Sequence, residues 1–511
     1  DDAAFPSRPA IPPVLAFALG VWAGCVASLA FARSLSIVLC VVACAVGAVA
    51  CLCCTCLIWR CRRCLLALVL VAGLFCGATL GFVQGVRLHL AQQVASESQG
   101  LLHVVVLSDG SEGEFGVSCM ARVQAEGSAR SFAAKVSFPS GHAVPFYGQR
   151  FSGYGSISEL SDDRASWGWQ RGIAANVKLR TCEQVPLQGP GAALLSFRER
   201  AVRALTEPLR GDRGLAAAIS CGWRADLPED VYRQFQVSGL AHVVAVSGAH
   251  LSIVAALVAS LLGALRFPKP VSIAAQIALL VAYLALTAMP ASAIRAALMT
   301  VAGMTSWTAR RRASSLSALG CCITVMLALD AQAALSSSFA LSVLATLGIV
   351  LFGGIMNSWL RYSLGWVPAF IREALALTFA SSVIATPFSA ALFSQLPLAA
   401  PFANIVTAPL FGPVCAAGIV GAVACALLPA PNLASSLACG CACLLLKAVQ
   451  ACSSIPYASI PIVAPVSVAL FAGFTVACGL WLWWPKPNRR SMFRLISVTG
   501  ILSLFVFALV N

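Results

Sequence analysis

The sequence predicts a polytopic α-helical membrane protein that carries a small external β-barrel. Hydrophobic residues make up 59% of the 511 residues and charged residues only 10%, and the mean hydropathy is +0.87. A soluble domain typically has about 25% charged residues, so this composition excludes an ordinary soluble enzyme. Long apolar segments fill most of the chain, and one polar stretch interrupts them between 87 and 240.

Apolar segments predict about three membrane helices before the polar stretch and about ten after it. A helix needs about 20 apolar residues to cross the hydrocarbon, and several segments are shorter. Some segments can therefore be re-entrant or tilted, and the number of membrane helices is defined only to within about two. We expect N-terminal membrane helices in 1–86 and a larger helical membrane domain in 241–511. The segments lie near 13–31, 35–58, 64–86, 242–265, 271–289, 291–309, 315–330, 335–358, 374–394, 398–428, 433–453, 460–484 and 492–510.

Basic residues cluster in loops between these segments. When consecutive segments cross in alternate directions, all clusters fall on one side, which the positive-inside rule assigns to the cytoplasm. The stretch 87–240 is then expected outside. Most of the net charge of +15 lies in 241–511, so it is topogenic and is poor support for a polyanionic partner. The clusters are Arg60, Arg62 and Arg63; Arg266 and Lys269; Arg310, Arg311 and Arg312; Arg361; and Lys486, Arg489 and Arg490.

Residues 87–190 are predicted to contain the external β domain. Apolar and other residues alternate in five runs, most clearly at Phe132, Ala134 and Val136. Five short strands separated by glycine-rich turns are typical of a small OB-like barrel. The runs are 101–107, 115–124, 130–138, 149–160 and 175–183.

Barrels of this kind often bind oligonucleotides, which requires a basic face. The domain is neutral overall, so its basic residues would have to be segregated on one side. A purely structural vestibule is the alternative. The candidates for a nucleic-acid face are Arg122, Lys135, Lys178 and Arg180.

The sequence contains 22 cysteines, and most lie in apolar segments, where they act as small hydrophobic residues. Cys119 and Cys182 are instead in the external barrel, where an oxidising compartment permits a disulfide. Strand alternation places them on opposite faces, and a bulge would be needed to join them, so the bridge stays open. Cys61-Arg62-Arg63-Cys64 has zinc-like spacing, but no second ligand pair lies near it, and no metal is predicted.

The segment 191–240 is predicted to connect the barrel to the membrane domain and to begin with an amphipathic helix. Its apolar residues share one helical face, as in helices that lie on the outer membrane surface. That face comprises Leu194, Phe197, Ala201 and Leu205, whereas Arg198, Arg200 and Arg203 lie elsewhere.

Polar residues inside apolar segments are the candidates for function, because unpaired polar groups are costly in lipid. His242, Ser247, Gly248 and His250 open the fourth apolar segment. Ser247 and His250 are three residues apart, so they share a helical face. Hydrogen bonds that merely join neighbouring helices are the alternative explanation for the two histidines.

Arg295 and Asp330 are charges well inside two further apolar segments. One expectation is that they pair with each other as a structural lock. The other is that Arg295 contacts phosphates that pass through the membrane domain. Both expectations are kept.

The order and spacing of several motifs resemble those of the ComEC-type competence proteins, which form the inner-membrane channel for DNA uptake. The resemblance covers about 200–420 well and 100–185 weakly. Ala249, Ala331 and Ala340 depart from the family pattern, in which leucine, proline and glutamine are usual. The matching elements are Pro208 to Arg213; Gly239 to His242 with Ser247 to His250; Pro290 to Met299 with Arg310-Arg311; Asp330 with Phe339 to Ser342; Asn404 with Pro409-Leu410; and, weakly, Trp169 to Ala175.

The resemblance implies a channel for single-stranded DNA in the cytoplasmic membrane of a bacterium, used in natural transformation. Other competence proteins are the implied partners: a DNA receptor, a cytoplasmic motor and a separate nuclease; a homo-oligomer is open. Many relatives carry a metallo-β-lactamase-like domain with an H-x-H-x-D-H cluster. The five histidines here include no H-x-H, so neither catalysis nor a cofactor is expected. The implied channel residues are His242, Ser247, Gly248, His250, Arg295, Asp330 and Asn404.

An intramembrane hydrolase is the alternative function. It would use Ser247 as the nucleophile, His250 as the base and Asp330 as the orienting acid. The two functions differ in a simple geometric requirement, because a hydrolase needs these three side chains within hydrogen-bond reach of one another.

Overall fold

A computed structural model gives the fold of most of the chain. Within the described residues, six helices are long and apolar enough to cross a membrane, and further apolar helices are shorter. The chain is a multi-pass helical membrane protein, as the sequence predicts. The described residues are 6–33, 42, 46, 65–113, 116–206, 211–212, 214–308, 314–427, 433–462, 466–484, 486 and 488.

Helices α1 (Pro13–Ala32) and α2 (Leu65–Glu97) pack along a seam of glycines. A Cβ on Gly77 of α2 would lie 2.0 Å from the carbonyl oxygen of Val21, so the two backbones touch directly. Helix α2 continues well past 86, where its apolar segment was predicted to end. The predicted segment 35–58 and the Cys61–Cys64 spacing lie outside the described residues, apart from 42 and 46. The glycines on the facing side of α2 are Gly73, Gly77, Gly81 and Gly85.

The domain that follows α2 is a closed five-stranded barrel. The strand order is β1-β3-β4-β6-β5, and β5 pairs back with β1. Strands β4 and β6 are parallel and the other barrel pairs are antiparallel, an arrangement that fits an OB-like fold. All five predicted strands are present, whereas α3 was not predicted. The elements are β1 (Leu101–Val106), β2 (Ser111–Gly113), β3 (Gly116–Ala125), β4 (Phe132–Ser137), β5 (Arg150–Ser158), α3 (Asp162–Arg171), β6 (Ala175–Leu179) and β7 (Glu183–Val185).

Four short helices connect the barrel to the membrane domain. In the first, α4, Leu194 is 43% exposed and Arg198 is 1% exposed. Arg198 is buried because it pairs with Asp109 of the barrel. Whether α4 lies on a membrane surface stays a prediction. The helices are α4 (Pro190–Arg203), α5 (Leu215–Cys221), α6 (Glu229–Val237) and α7 (Ala241–Val244).

The membrane domain follows α7 and is built from helices that differ in length. Helix α8 has 17 residues and α11 has 15, fewer than a perpendicular crossing needs, whereas α12 to α15 are long enough. The elements are α8 (Gly248–Ala264), α9 (Lys269–Leu286), α10 (Ala291–Thr308), α11 (Ser315–Leu329), a 3₁₀ helix (Ala331–Leu335), α12 (Ser337–Ser363), α13 (Ala369–Phe393), β8 (Gln395–Pro397), α14 (Ala400–Leu427), α15 (Leu433–Ser453), β9 (Ser459–Pro461) and α16 (Val466–Trp483).

Two of the apolar cores divide many of the helices into groups. One core joins α1, α11, the 3₁₀ helix and α12. Another joins α4, α5, α8, α9, α10, α14 and α15. Helix α10 also contributes Leu298 and Met299 to the first core, so it lies between the two groups.

Candidate functional site

The turn between α7 and α8 is the centre of the candidate site. It follows Gly239, which is left-handed, and a Cβ there would also lie 2.5 Å from the Cβ of Ala400, so only glycine fits. Ser247 is the N-cap of α8 and Gly248 is its first residue. This sequence of small residues lets the chain turn sharply and start a helix inside the protein.

Ser247 and His250 form a capping box at the start of α8. The backbone N–H of Ser247 donates to Nδ1 of His250 at 3.0 Å, and the Ser247 hydroxyl oxygen lies 3.0 Å from the same nitrogen. Because Nδ1 accepts a hydrogen bond from the backbone, a neutral His250 carries its proton on Nε2. The capping box thus fixes both the orientation and the tautomer of the ring.

His250 is fully buried, and its ring meets Phe411 of α14 edge to face with the centroids 4.8 Å apart. Among the described residues, Nε2 of His250 has no hydrogen-bond partner. A buried donor without an acceptor is rare and costly. Among the described residues, His250 therefore forms no side-chain hydrogen bond to a neighbouring helix.

His242 lies in α7, and its side chain is exposed. The ring of His250, by contrast, is buried.

Helix α10 packs directly against this turn. The hydroxyl of Ser292 donates to the carbonyl oxygen of Val246 at 2.6 Å. A Cβ on Gly248 would lie 3.4 Å from the Cβ of Ala296. The fold therefore brings together the histidine motif and the helix that carries Arg295, which are separate in the sequence.

Arg295 is 7% exposed and reaches from α10 to α12. Its Nη1 donates to Oγ1 of Thr346 at 2.6 Å and lies 3.9 Å from Sδ of Met299. Its Nε has no hydrogen-bond partner among the residues that the structure describes. Arg295 thus joins the two helix groups and keeps one buried donor unused.

Asp330 lies apart from these residues, at the end of α11. Its Oδ1 accepts the backbone N–H of Gln332 at 3.0 Å and so caps the 3₁₀ helix. Within the described part of the chain it forms no ion pair with Arg295, so the predicted structural lock is wrong. The physical reason is that Arg295 projects towards α12 and is held there by Thr346.

The three side chains of the alternative hydrolase are not assembled. Asp330 forms no hydrogen bond with His250 in the described structure. Because the Ser247 hydroxyl lies at Nδ1 of His250, an orienting acid would have to accept a hydrogen bond from Nε2, and Nε2 has no partner among the described residues.

Asn404 joins two long helices. Its Nδ2 donates to Oγ1 of Thr378 at 3.4 Å, which links α14 to α13. Pro409 and Pro413 follow inside α14 and remove two of its backbone hydrogen bonds. A membrane helix tolerates such breaks where the freed carbonyls face protein or a wet cavity.

Three of the four predicted basic residues lie on one outward surface of the barrel. Arg122 on β3, Lys135 on β4 and Lys178 on β6 all point away from the barrel core, and these three strands are neighbours. Arg180 is exposed just beyond the end of β6. The outward positions of β3, β4 and β6 carry no acidic residue, so this surface is locally positive although the domain is neutral.

Helix α3 adds an aromatic residue to the same surface, which the sequence analysis missed. Lys135 and Arg171 both lie over the ring of Trp167, at 5.6 and 4.6 Å from its centroid. Aromatic rings beside cations are typical of surfaces that bind single-stranded nucleic acid. The tryptophan-rich run 167–169 was the available signal.

Cys119 and Cys182 both belong to the barrel core and are present as free thiols. Burial raises the pKa of Cys119 to about 12 and that of Cys182 to about 11. Sγ of Cys182 lies 3.8 Å from Nε2 of His142. The sequence placed the two cysteines on opposite strand faces, but in the structure both contact the same barrel core. The disulfide between them stays a prediction.

A cavity of about 600 Å³ lies elsewhere, between the C-terminal end of α2, strand β5 and α3. Gln92, Ser96, Gln99 and Ser156 line it together with one acidic residue, Glu159. None of the predicted site residues reaches this cavity, and its lining has no cation for a phosphate. No group of described residues anywhere in the chain has the composition of a metal site.

Two anchors fix the barrel to the membrane domain, and sequence analysis revealed neither. In the first, the indole N–H of Trp169 donates to the carbonyl oxygen of Leu29 at the end of α1, and Gln332 donates to the backbone of Trp169. In the second, Arg198 of α4 forms an ion pair with Asp109 of the barrel. Both anchors join residues that are far apart in the sequence.

The family of the chain follows from comparison with known proteins. The model of the competence protein family matches residues 219–487, which include the α7–α8 turn, α10 and α14. Curated proteins and solved structures give no match. Since the matched region is more than half of the chain, the chain belongs to the competence protein family.

Proposed function

We propose that this protein is the channel through which single-stranded DNA crosses the cytoplasmic membrane during natural transformation. Membership of the competence family implies a role in DNA uptake. The channel role and the single-stranded substrate are our proposals. Competence proteins that capture, pull and degrade DNA are the expected partners.

Two buried donors in the matched helices carry this proposal. Nε2 of His250 and Nε of Arg295 have no acceptor among the described residues. They lie on α8 and α10, which pack against each other. Donors of this kind suit a passing strand, whose phosphates and bases are rich in acceptors. Because no sequence has to be read, a few such contacts are sufficient.

The barrel would supply the first contact with DNA. Arg122, Lys135 and Lys178 would attract the phosphate backbone, and Trp167 with Arg171 would stack on an unpaired base. Arg180 would extend this surface beyond β6. A locally positive surface on a neutral domain favours this role over that of a passive vestibule.

The proposed location of 87–240 is outside the cytoplasmic membrane. If consecutive segments cross the membrane in alternate directions, every second turn lies outside. The following turns of this kind lie on the same side of the molecule as the barrel. The end of α1 and the 3₁₀ helix contact Trp169, and the end of α9 contacts Arg198. The described basic residues Arg266 and Arg361 end the helices that run away from this side, as the positive-inside rule requires.

Replacement of His250 or Arg295 tests the channel role. We expect His250→Ala and Arg295→Ala to reduce DNA internalisation at least tenfold and to leave capture at the cell surface unchanged. Arg295→Lys should keep part of the transport, because lysine still offers a charge to phosphate. Ser252→Ala on α8 is the matched control, since its exposed hydroxyl bonds only its own helix. Normal internalisation by alanine variants that accumulate in the membrane would contradict the proposal.

A further inference from the structure

The turn between α9 and α10 has an unusual backbone. Ala288 and Met289 are both left-handed, with φ of +61° and +51°. Left-handed residues that are not glycine are disfavoured, each by a factor of roughly five to thirty in population. Met289 also precedes Pro290, and a proline disfavours helical backbone in the residue before it. Such a turn persists only when its surroundings hold it.

Arg198 holds the start of this turn. Its Nε donates to the carbonyl oxygen of Leu286, the last residue of α9, at 2.6 Å. The final carbonyls of a helix lack partners within the helix, and a cation also suits the negative end of the helix dipole. Arg198 therefore fixes the point at which α9 ends and the turn begins.

The orientation of Arg198 is itself fixed by the barrel. Nη1 and Nη2 of Arg198 donate to the two carboxylate oxygens of Asp109 at 2.7 and 2.5 Å. Oδ1 of Asp109 also accepts the backbone N–H of Tyr147 at 2.9 Å. The ion pair is largely buried, with side-chain exposures of 2% for Arg198 and 15% for Asp109. A two-pronged pair of this kind permits little freedom of orientation.

The neighbouring barrel loop packs on the same turn. Oη of Tyr147 lies 4.0 Å from Sδ of Met289. Phe146 stacks on Trp223 with the ring centroids 4.2 Å apart, and a Cβ on Gly222 would lie 3.3 Å from the carbonyl oxygen of Thr287. The strained turn is thus enclosed by the barrel loop, α4 and the segment after α5.

We propose that Arg198 is a positioning residue for the channel: by joining Asp109 of the barrel to the end of α9, it holds the strained turn and thereby sets where α10 begins. Helix α10 starts directly after the turn, and Arg295 lies just over one helical turn into it. A shift of the turn would move Arg295 and the Ser292 contact with the α7–α8 turn. The significance for DNA uptake rests on the proposed function, whereas the mechanical link does not.

Replacement of both charged residues tests the link between the barrel and α9 without leaving one unpaired charge in the interior. The variant is Arg198→Met with Asp109→Asn, which keeps an acceptor for the Tyr147 backbone. The matched control is Arg200→Met, because Arg200 is exposed on the same helix. The position of the turn is read from thiol cross-linking of a Tyr147→Cys and Met289→Cys pair by a short bis-maleimide, with each single cysteine variant as background.

The decisive variant is Ala288→Gly. Glycine adopts left-handed backbone freely, so the turn should need the Arg198 link less. We expect the uncharged pair to lower cross-linking and DNA internalisation about fivefold or more, with DNA capture unchanged, and Ala288→Gly to restore much of both. Unchanged cross-linking in the uncharged pair would overturn the proposal, and so would a loss that Ala288→Gly does not reverse.

Arg198→Lys covers the case in which the uncharged pair fails to accumulate. Lysine keeps the buried cation but cannot bond both Asp109 oxygens and the Leu286 carbonyl together. The same loss and the same rescue by Ala288→Gly are expected, and wild-type cross-linking in this variant would contradict the link. If cross-linking responds as expected while internalisation never changes, the positioning role of Arg198 stands and the proposed channel function fails.

Discussion

At the residue scale, the site depends on which nitrogen atoms of His250 and Arg295 have hydrogen-bond partners. His250 uses Nδ1 for a local cap and leaves Nε2 unused among the described residues. Arg295 uses Nη1 for Thr346 and keeps Nε. Sequence spacing was sufficient to predict that Ser247 and His250 share a face. It could not predict Thr346 as the partner of Arg295, because that contact depends on how α10 packs against α12.

The buried thiols give a pH prediction. A raised thiol pKa keeps the protonated, unreactive form to higher pH. In the reduced, folded protein we therefore expect Cys119 and Cys182 to alkylate slowly at pH 8 and faster only as the pH approaches 11. Peptide mass mapping after timed iodoacetamide treatment measures this. Fast labelling of Cys119 at pH 8 would contradict its burial, and labelling that first requires a reductant would reveal the disulfide.

At the element scale, regular patterns were predictable and contacts between distant elements were not. The alternation at Phe132, Ala134 and Val136 was enough to find β4, and five such runs were enough for the barrel. The sequence places Arg198 off the apolar face of its helix, but it does not reveal the partner of Arg198, because Asp109 is 89 residues away. The glycines of α2 carried a readable signal, since a four-residue repeat of glycine favours close helix packing.

That glycine seam can be tested with one methyl group. Gly77→Ala would place a Cβ 2.0 Å from the Val21 carbonyl oxygen, so we expect a destabilisation of about 1–3 kcal/mol. Gly353→Ala on α12 is the matched control, because its added Cβ would meet no atom outside its own helix backbone within 4 Å. Thermal unfolding in detergent measures both variants. Equal stability of the two would show that α1 and α2 do not touch at Gly77.

At the scale of the whole molecule, the barrel is firmly joined to the helices below it. Trp169 ties it to α1 and the 3₁₀ helix, and Asp109 ties it through Arg198 to α4 and α9. These contacts lie in the different helix groups that meet at α10. In the proposed function, the barrel that captures DNA therefore also helps to set the positions of the channel helices.

The topology makes a prediction for intact cells. Ser156→Cys lies on the barrel and Trp366→Cys lies in the loop after α12, and both positions are exposed. We expect a membrane-impermeant maleimide to label the first in intact cells and the second only after the membrane is opened. The unsubstituted chain gives the background from native cysteines. Labelling of both positions from the same side would contradict the placement of 87–240 outside.

The central claim is that this chain carries DNA across the cytoplasmic membrane, and labelled DNA tests it most directly. Cells that lack the chain are given fluorescent DNA, and the protected, internalised fraction is measured separately from DNA bound at the surface. The account predicts that internalisation is lost without the chain, returns when the chain is restored, and does not return with the Arg295→Ala chain, while surface binding stays unchanged throughout. Normal internalisation in cells without the chain would contradict it.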